Sequence, residues 1–336
     1  MLTYPFDDKL RSAIDAMGNE AAENIWFEGR AGADLTWSWI LDVEAGKKNW
    51  RLAKLTELGF AEKKVRKQMS ALKTESVKNL VELARQDRFD DPLRSSPALI
   101  VLSLCHNQKA FEIGKKLVRS KLAAERIIGI KTLAREHSEE FLPKSAPILL
   151  KCLENESDDH VLEVLAFATM HLNIEGRWKF LKPHADNPSE AVRLAIASSL
   201  GGEEDRDSIS TLIKLTRDPC DDIRNWATFS LGILCKQNTE RVRAALFARV
   251  NDEHDELRHE AILGLAVRKD HRVWDIITDE LLSGPRIWGR TLEAVVELAD
   301  VSFYPMLQDL KVRWQTKDPE DIILNNLDSA LEACRP

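Results

Sequence analysis

The chain has 336 residues, 44% of them hydrophobic and 31% charged, with a net charge of −7. That balance supplies a large core and a well-solvated surface, which excludes a disordered chain. The longest uncharged stretch, residues 95–108, is too short to span a bilayer, so it is read as a buried helix and no membrane association is expected.

In chain order, the N-terminus Met1-Leu2-Thr3-Tyr4-Pro5-Phe6-Asp7-Asp8 lacks the basic and apolar regions of a secretory signal, and a cytoplasmic protein is expected. Charge is unevenly spread: residues 1–46 carry −6, 47–85 carry +7, 86–199 are neutral and 200–336 carry −8. The basic block includes Lys47, Arg51, Lys54, Lys63, Arg66 and Lys67, with Lys47, Arg51 and Lys54 on one helical face. It is either a solvated helix face or a landing site for an acidic partner or phosphates. Trp26, Trp37, Trp39 and Trp50 cluster in the same region. Helical periodicity is plain in Ala61, Val65, Met69 and Leu72, and again in Val77, Leu80, Val81 and Ala84. Residues 1–86 therefore read as a divergent helical N-terminal region or cap, as the first unit of a stacked array should be.

From residue 87 a repeat takes over. Cys220-Asp221-Asp222-Ile223-Arg224-Asn225-Trp226-Ala227 continues to Leu231-Gly232; Ser189-Glu190-Ala191-Val192-Arg193 precedes it and Asp255-Glu256-Leu257-Arg258-His259-Glu260-Ala261 follows it with the same skeleton. The arginine slot falls at Arg94, Arg126, Leu162, Arg193, Arg224, Arg258 and Arg290, with gaps of 32, 36, 31, 31, 34 and 32. Within a unit, Ile223, Ala227, Leu231 and Leu234 share one helical face. A second helical stretch precedes each: Phe141 to Leu153, Ile209 to Leu215, Val242 to Val250 and Val273 to Leu282. Ser189, Asp221 and Asp255 are expected as N-caps, while Pro188, Pro219 and Gly284 are expected in turns rather than helix interiors. Residues 87–300 thus form an array of helix pairs, and 301–336, with Ile322, Ile323, Leu327 and Leu331, a closing helical cap. The fold class is all-α, an α-solenoid of stacked antiparallel helix pairs.

On these residues the chain resembles the HEAT-repeat superfamily, particularly the short repeats of phycobilisome-lyase type. The resemblance implies a superhelix whose motif-bearing helices line the inner surface, and a structural role for the pairs Asp218 with Arg224 and Asp252 with Arg258, knitting neighbouring units together.

The best-suited function is a non-catalytic scaffold or adaptor that binds a protein or peptide along the groove, with Asn225, Thr228, Phe229, His259 and Leu263 as candidate lining residues. Small, apolar and sparsely polar side chains suit such a partner better than a polyanion. A nucleic-acid binder using the basic block 47–78 is the less suited alternative, because phosphate neutralisation needs basic surface and the C-terminal half is acidic. An enzyme or bilin-lyase-type accessory protein is the other alternative. Some HEAT-repeat enzymes resembling deoxyhypusine hydroxylase hold di-iron through several His-Glu pairs, but His259-Glu260 is the chain's one such dipeptide, and one imidazole with one carboxylate leaves most coordination positions empty. No nucleophile elbow or phosphate loop is present, so neither catalytic residues nor a metal or other cofactor is expected. Cys105, Cys152, Cys220, Cys235 and Cys334 are odd in number and form no C-x-x-C pair, consistent with reduced, packed thiols. The tryptophans of the array, Trp178, Trp226, Trp274, Trp288 and Trp314, are expected to pack between helices.

Overall fold

The computed structural model describes residues 70–86, 96–105, 107–134, 140–172, 174–283, 289–315 and 323–336. Among them every regular element is helical, and no helix is long and apolar enough to cross a membrane. The chain divides into two compact units, Met1–Leu142 and Pro143–Pro336. The basic side chains Lys47, Arg51, Lys54, Lys63, Arg66 and Lys67, the four N-terminal tryptophans, Arg94 and Trp288 lie outside the described residues.

In the first unit, α1 (Val77–Ala84), α2 (Pro97–Ser103), α3 (Gln108–Leu117) and α4 (Ala123–Leu133) pack in pairs. The starts of the first three are fixed by side chains that accept orphan amide protons: Ser76 from Asn79, Ser96 from Leu99 and Asn107 from Ala110, at 3.1, 3.2 and 3.0 Å. Val77, Leu80, Val81 and Ala84 form the buried face that their spacing predicts, against Leu99, Leu102 and Ile128. In α4 the Arg126 guanidinium donates back to the carbonyls of Ser120 and Lys121 at 3.2 and 3.1 Å, tying the helix to the turn before it.

The second unit opens with α5 (Leu142–Asn155) and α6 (Asp159–His171), then α7 (Trp178–Leu181), extended by a 3-10 turn, and α8 (Glu190–Ser199). The pattern continues through α9 (Arg206–Leu215), α10 (Asp221–Phe229), α11 (Glu240–Phe247), α12 (Asp255–Val267), α13 (Trp274–Ser283) and α14 (Gly289–Leu298). It ends with α15 (Tyr304–Gln315) and α16 (Ile323–Ala333). The even-numbered helices stack directly on one another and more closely than the odd-numbered ones do, which makes them the inner row of this unit. Ile223, Ala227 and Leu231 are fully buried between the rows; Leu234 is half-buried. Proline departs from the expected pattern at one described position: Pro147 stands inside α5, in its second turn.

Two expectations about the turns are corrected. The N-caps of α10 and α12 are Cys220 and His254, not Asp221 and Asp255, and Ser189, though at the N-cap of α8, makes no side-chain capping bond. The reason lies two residues earlier. Asn187, Asp218 and Asp252 each accept the amide proton of the residue two positions on, at 2.7, 3.0 and 3.2 Å, an Asx turn that starts the helix one residue ahead of the spacing argument. Asp221 and Asp255 are left in the first turn, where they pair with Arg224 and Arg258 one turn along and sit at the positive end of the helix dipole.

After Phe229 the inner helix widens into a π-helical stretch, Ser230–Leu234. Here Gly232 and Gly264 of the next inner helix meet backbone to backbone: a Cβ on Gly264 would lie 2.6 Å from the Gly232 Cα. Gly264→Ala is therefore expected to force the two helices apart and cost about 1–3 kcal/mol, measured as a lower urea midpoint with unchanged m-value. An unchanged midpoint would show that this contact is loose.

Candidate functional site

Three polar arrangements and one apolar surface are built on the inner row. The first is a ladder of arginines. Arg193 spans to the next unit and holds the Asp218 carboxylate with two bonds, Nε to Oδ2 at 2.8 Å and Nη2 to Oδ1 at 3.0 Å. Arg224 reaches Asp252 at 3.3 Å. The expected partnership of Asp218 with Arg224, and of Asp252 with Arg258, is corrected: within a unit the arginine takes the aspartate's main-chain carbonyl, at 3.0 and 2.8 Å. Burial pushes the carboxyls of Asp218 and Asp252 up, but the guanidinium bonds and the turn amides outweigh it and hold both below the usual range. One rung is missing from both sides. The arginine slot holds Leu162, and the position in the next unit that matches Asp218 holds Asn187, so neither partner is left as a lone buried charge.

The second arrangement surrounds His259-Glu260. His259 Nδ1 lies 2.6 Å from the Asp255 carbonyl and Nε2 lies 3.1 Å from Glu280 Oε1 on α13. Glu260 turns to α14, where Arg290 Nε donates to its Oε1 at 2.9 Å and Arg290 Nη1 to Glu293 at 2.7 Å; Thr291 donates to Glu280 at 2.6 Å. Burial pushes Glu280 up, but the bonds from His259 and Thr291 bring it below the usual range. The two members of the dipeptide thus serve different neighbours, and among the described residues no group of three His, Cys, Asp or Glu side chains is placed to hold a metal ion.

Glu260 is 5% exposed, and its Oε2 is buried with no hydrogen-bond partner. Burial lifts its pKa to about 7 against the opposing charge of Arg290, with Glu256 adding to the rise. A carboxyl raised in the folded state stabilises the fold fully below its ordinary value of 4.5, and that contribution is lost as pH climbs through about 7. Glu260→Gln is expected to be more stable than the parent at pH 8 by about 3 kcal/mol, with the gap closing towards pH 4.5. Thermal unfolding across this range checks it; a variant less stable than the parent at pH 8 would reverse the sign.

The third arrangement is Arg268, 6% exposed at the C-cap of α12. Its five N–H groups reach the carbonyls of Gln237, Gly232, Gly264, Leu231 and Cys235 at 2.6–3.0 Å. Four of these oxygens belong to the π-helical stretch and the turn after it, and the fifth, that of Gly264, to the C-terminal end of α12, where carbonyls run out of helical partners.

The candidate groove residues divide. Thr228, His259 and Leu263 are 0, 2 and 4% exposed, so they are part of the packing and cannot line an open groove; Asn225 and Phe229 are half-exposed. The close Gly232–Gly264 approach and the ion pairs over α12 seal that part of the inner row. What remains open beside Asn225 is mainly apolar: Phe167 and Met170 on α6, Leu194 on α8, and Trp226, Phe229 and Ile233 on α10 and its extension, all half-buried. Each inner helix is flanked by its neighbours and backed by the odd-numbered row, so its partly exposed residues lie on its free inner side. Trp226 and Phe229 pack edge to face, ring centres 5.8 Å apart. The other described array tryptophans, Trp178, Trp274 and Trp314, are also half-buried rather than core; Trp274 stacks on Phe303 between odd-numbered helices. Cys235 and Cys334 are buried thiols, and Cys105, Cys152 and Cys220 are half-buried.

Residues 179–266 match the family model described as HEAT repeats. These residues are HEAT repeats. Protein YibA of Escherichia coli, strains K12 and O157:H7, is 34% identical over 144 residues, covering 43% of this chain and 50% of YibA. The chain thus spans about half the length of the curated relatives it matches. The crystal structure of Escherichia coli YibA superposes on 80% of this chain and 95% of its own, with a TM-score of 0.64 and 24% identity, a likeness of fold. Human deoxyhypusine hydroxylase matches with a TM-score of 0.30 and 16% identity, too distant to bear on chemistry.

Proposed function

We propose that this protein is a non-catalytic scaffold or adaptor that binds a protein or peptide along the inner faces of α6, α8 and α10. The observation that carries the reading is the open stripe of Phe167, Met170, Leu194, Trp226, Phe229 and Ile233. Large apolar and aromatic side chains left partly exposed on three successive inner helices are the composition of an interface centre. The arginines along the same row are committed to aspartates of the next unit, and His259 and Glu260 to α13 and α14.

A photoreactive benzophenone amino acid placed at position 229 of the full chain, irradiated in lysate of the source organism, tests this. A discrete protein adduct is expected from position 229 and none from Phe247, an exposed aromatic on the odd-numbered row. The adduct should survive nuclease and raised salt. Adducts from position 247 alone would move the docking face to the other row, and loss on nuclease treatment would favour a nucleic-acid partner.

A further inference from the structure

We propose that the partner segment docked on α6, α8 and α10 is a basic amphipathic helix; this rests on the reading of that row as the docking face. The chemistry of the border is the argument. Each inner helix of the open stretch begins with an exposed carboxylate, Asp159 on α6, Glu190 on α8 and Asp222 on α10. Glu190 and Asp222 take no ion-pair partner among the described residues. The cations of these three helices are Arg193 and Arg224, and both are spent, on Asp218 and on Asp252 with Asp221. The stripe therefore has an apolar floor and, along the edge where the helices start, a row of exposed carboxylates whose own helices carry no cation beyond these two committed arginines. A neutral apolar segment would leave that edge unanswered and an acidic one would be repelled, whereas Lys or Arg side chains answer it.

The geometry of stacked helices fixes the form of the segment. Inner helices about 8–10 Å apart present one apolar cluster each, and an α-helix rising about 1.5 Å per residue covers that distance in about five to seven residues. A helix crossing the row meets α6, α8 and α10 with side chains about two turns apart, which lie on a single face. Its Lys or Arg residues then belong on the border nearest Asp159, Glu190 and Asp222.

The test uses the full chain and two fluorescein-labelled synthetic peptides of about 20 residues, with leucines at helical spacing and either lysine or glutamate elsewhere, read by anisotropy. The Leu/Lys peptide is expected to bind and the Leu/Glu peptide not. Trp226→Ala should weaken binding about tenfold. The double variant Glu190→Gln/Asp222→Asn, both at exposed positions and chosen to leave the fold intact, should weaken it about threefold and flatten its salt dependence. Glu240→Gln on the odd-numbered row should change nothing. Equal binding of both peptides, or full affinity in the double variant, would overturn the proposal. If neither peptide binds while position 229 still cross-links a protein, the docking face stands and the basic helix is wrong; if the Leu/Lys peptide binds but ignores Trp226→Ala and the double variant alike, it sits elsewhere and the proposal also falls.

Discussion

Arg268→Met is expected to destabilise the protein by about 3–5 kcal/mol. Methionine fills much of the volume, so the loss is not one of packing. It comes from the five carbonyls of Gln237, Gly232, Gly264, Leu231 and Cys235, which lose their donor together. Each buried acceptor left unmade costs about 1–3 kcal/mol before water or relaxation recovers part of it. Burial draws the guanidinium's pKa down, but a group with five acceptors around it keeps its charge and shares it among main-chain dipoles. Arg268→Lys distinguishes the fork from the charge: three donors on a point cation satisfy fewer acceptors, and about half the loss is expected to remain. Urea unfolding measures both, and a loss below about 1 kcal/mol in Arg268→Met would mean that these carbonyls are served by water.

Asp218→Ala is expected to cost about 3 kcal/mol, because it strips Arg193 of its two-pronged partner inside a nearly closed junction between units. The sign is checked by a second variant that copies the chain's own missing rung. Where Leu162 replaces the arginine, Asn187 replaces the aspartate, so Arg193→Leu with Asp218→Asn is expected to recover most of the loss, the non-additivity that marks coupled neighbours. The ladder also sets the acid limb of stability. Asp218 and Asp252 are depressed in the fold, so their contribution is complete above the ordinary carboxylate value of 3.8 and is lost as pH falls below it through the folded values. Asp218→Asn should flatten that limb, read from thermal unfolding between pH 2 and 5, a range of about one to two units on either side of that value; an unaltered limb would assign it to other carboxylates.

Much of this architecture is legible in one dimension. Val77, Leu80, Val81 and Ala84, and Ile223, Ala227 and Leu231, are buried because a 3.6-residue period puts them on one face whatever they pack against. The arginine spacing likewise locates the inner helices. Pairing between units is not carried by a period. Arg224 is six residues from Asp218 and twenty-eight from Asp252, and only the stacking offset decides that the carboxylate it holds is the distant one. The caps stand one residue ahead of where the spacing puts them because Asx turns at Asp218 and Asp252 enter the helix early. Thr228, His259 and Leu263 look like groove residues on a helical wheel. Their burial comes from the Gly232–Gly264 contact and from Glu280 and Arg290 on other helices, none of which a wheel contains. Nor does the repeat register mark that contact: Gly232 stands eight residues after Arg224 and Gly264 six after Arg258, so the two glycines hold different places in their units.

Amide hydrogen exchange of the full chain, alone and with the cross-linkable partner bound, tests the docking face most directly. Exchange is predicted to slow in α6, α8, α10 and the Ser230–Leu234 stretch, while α9 and α11 of the odd-numbered row keep their free rates. Slowing confined to α9 and α11, with the Phe167-to-Ile233 stripe unchanged, would contradict it.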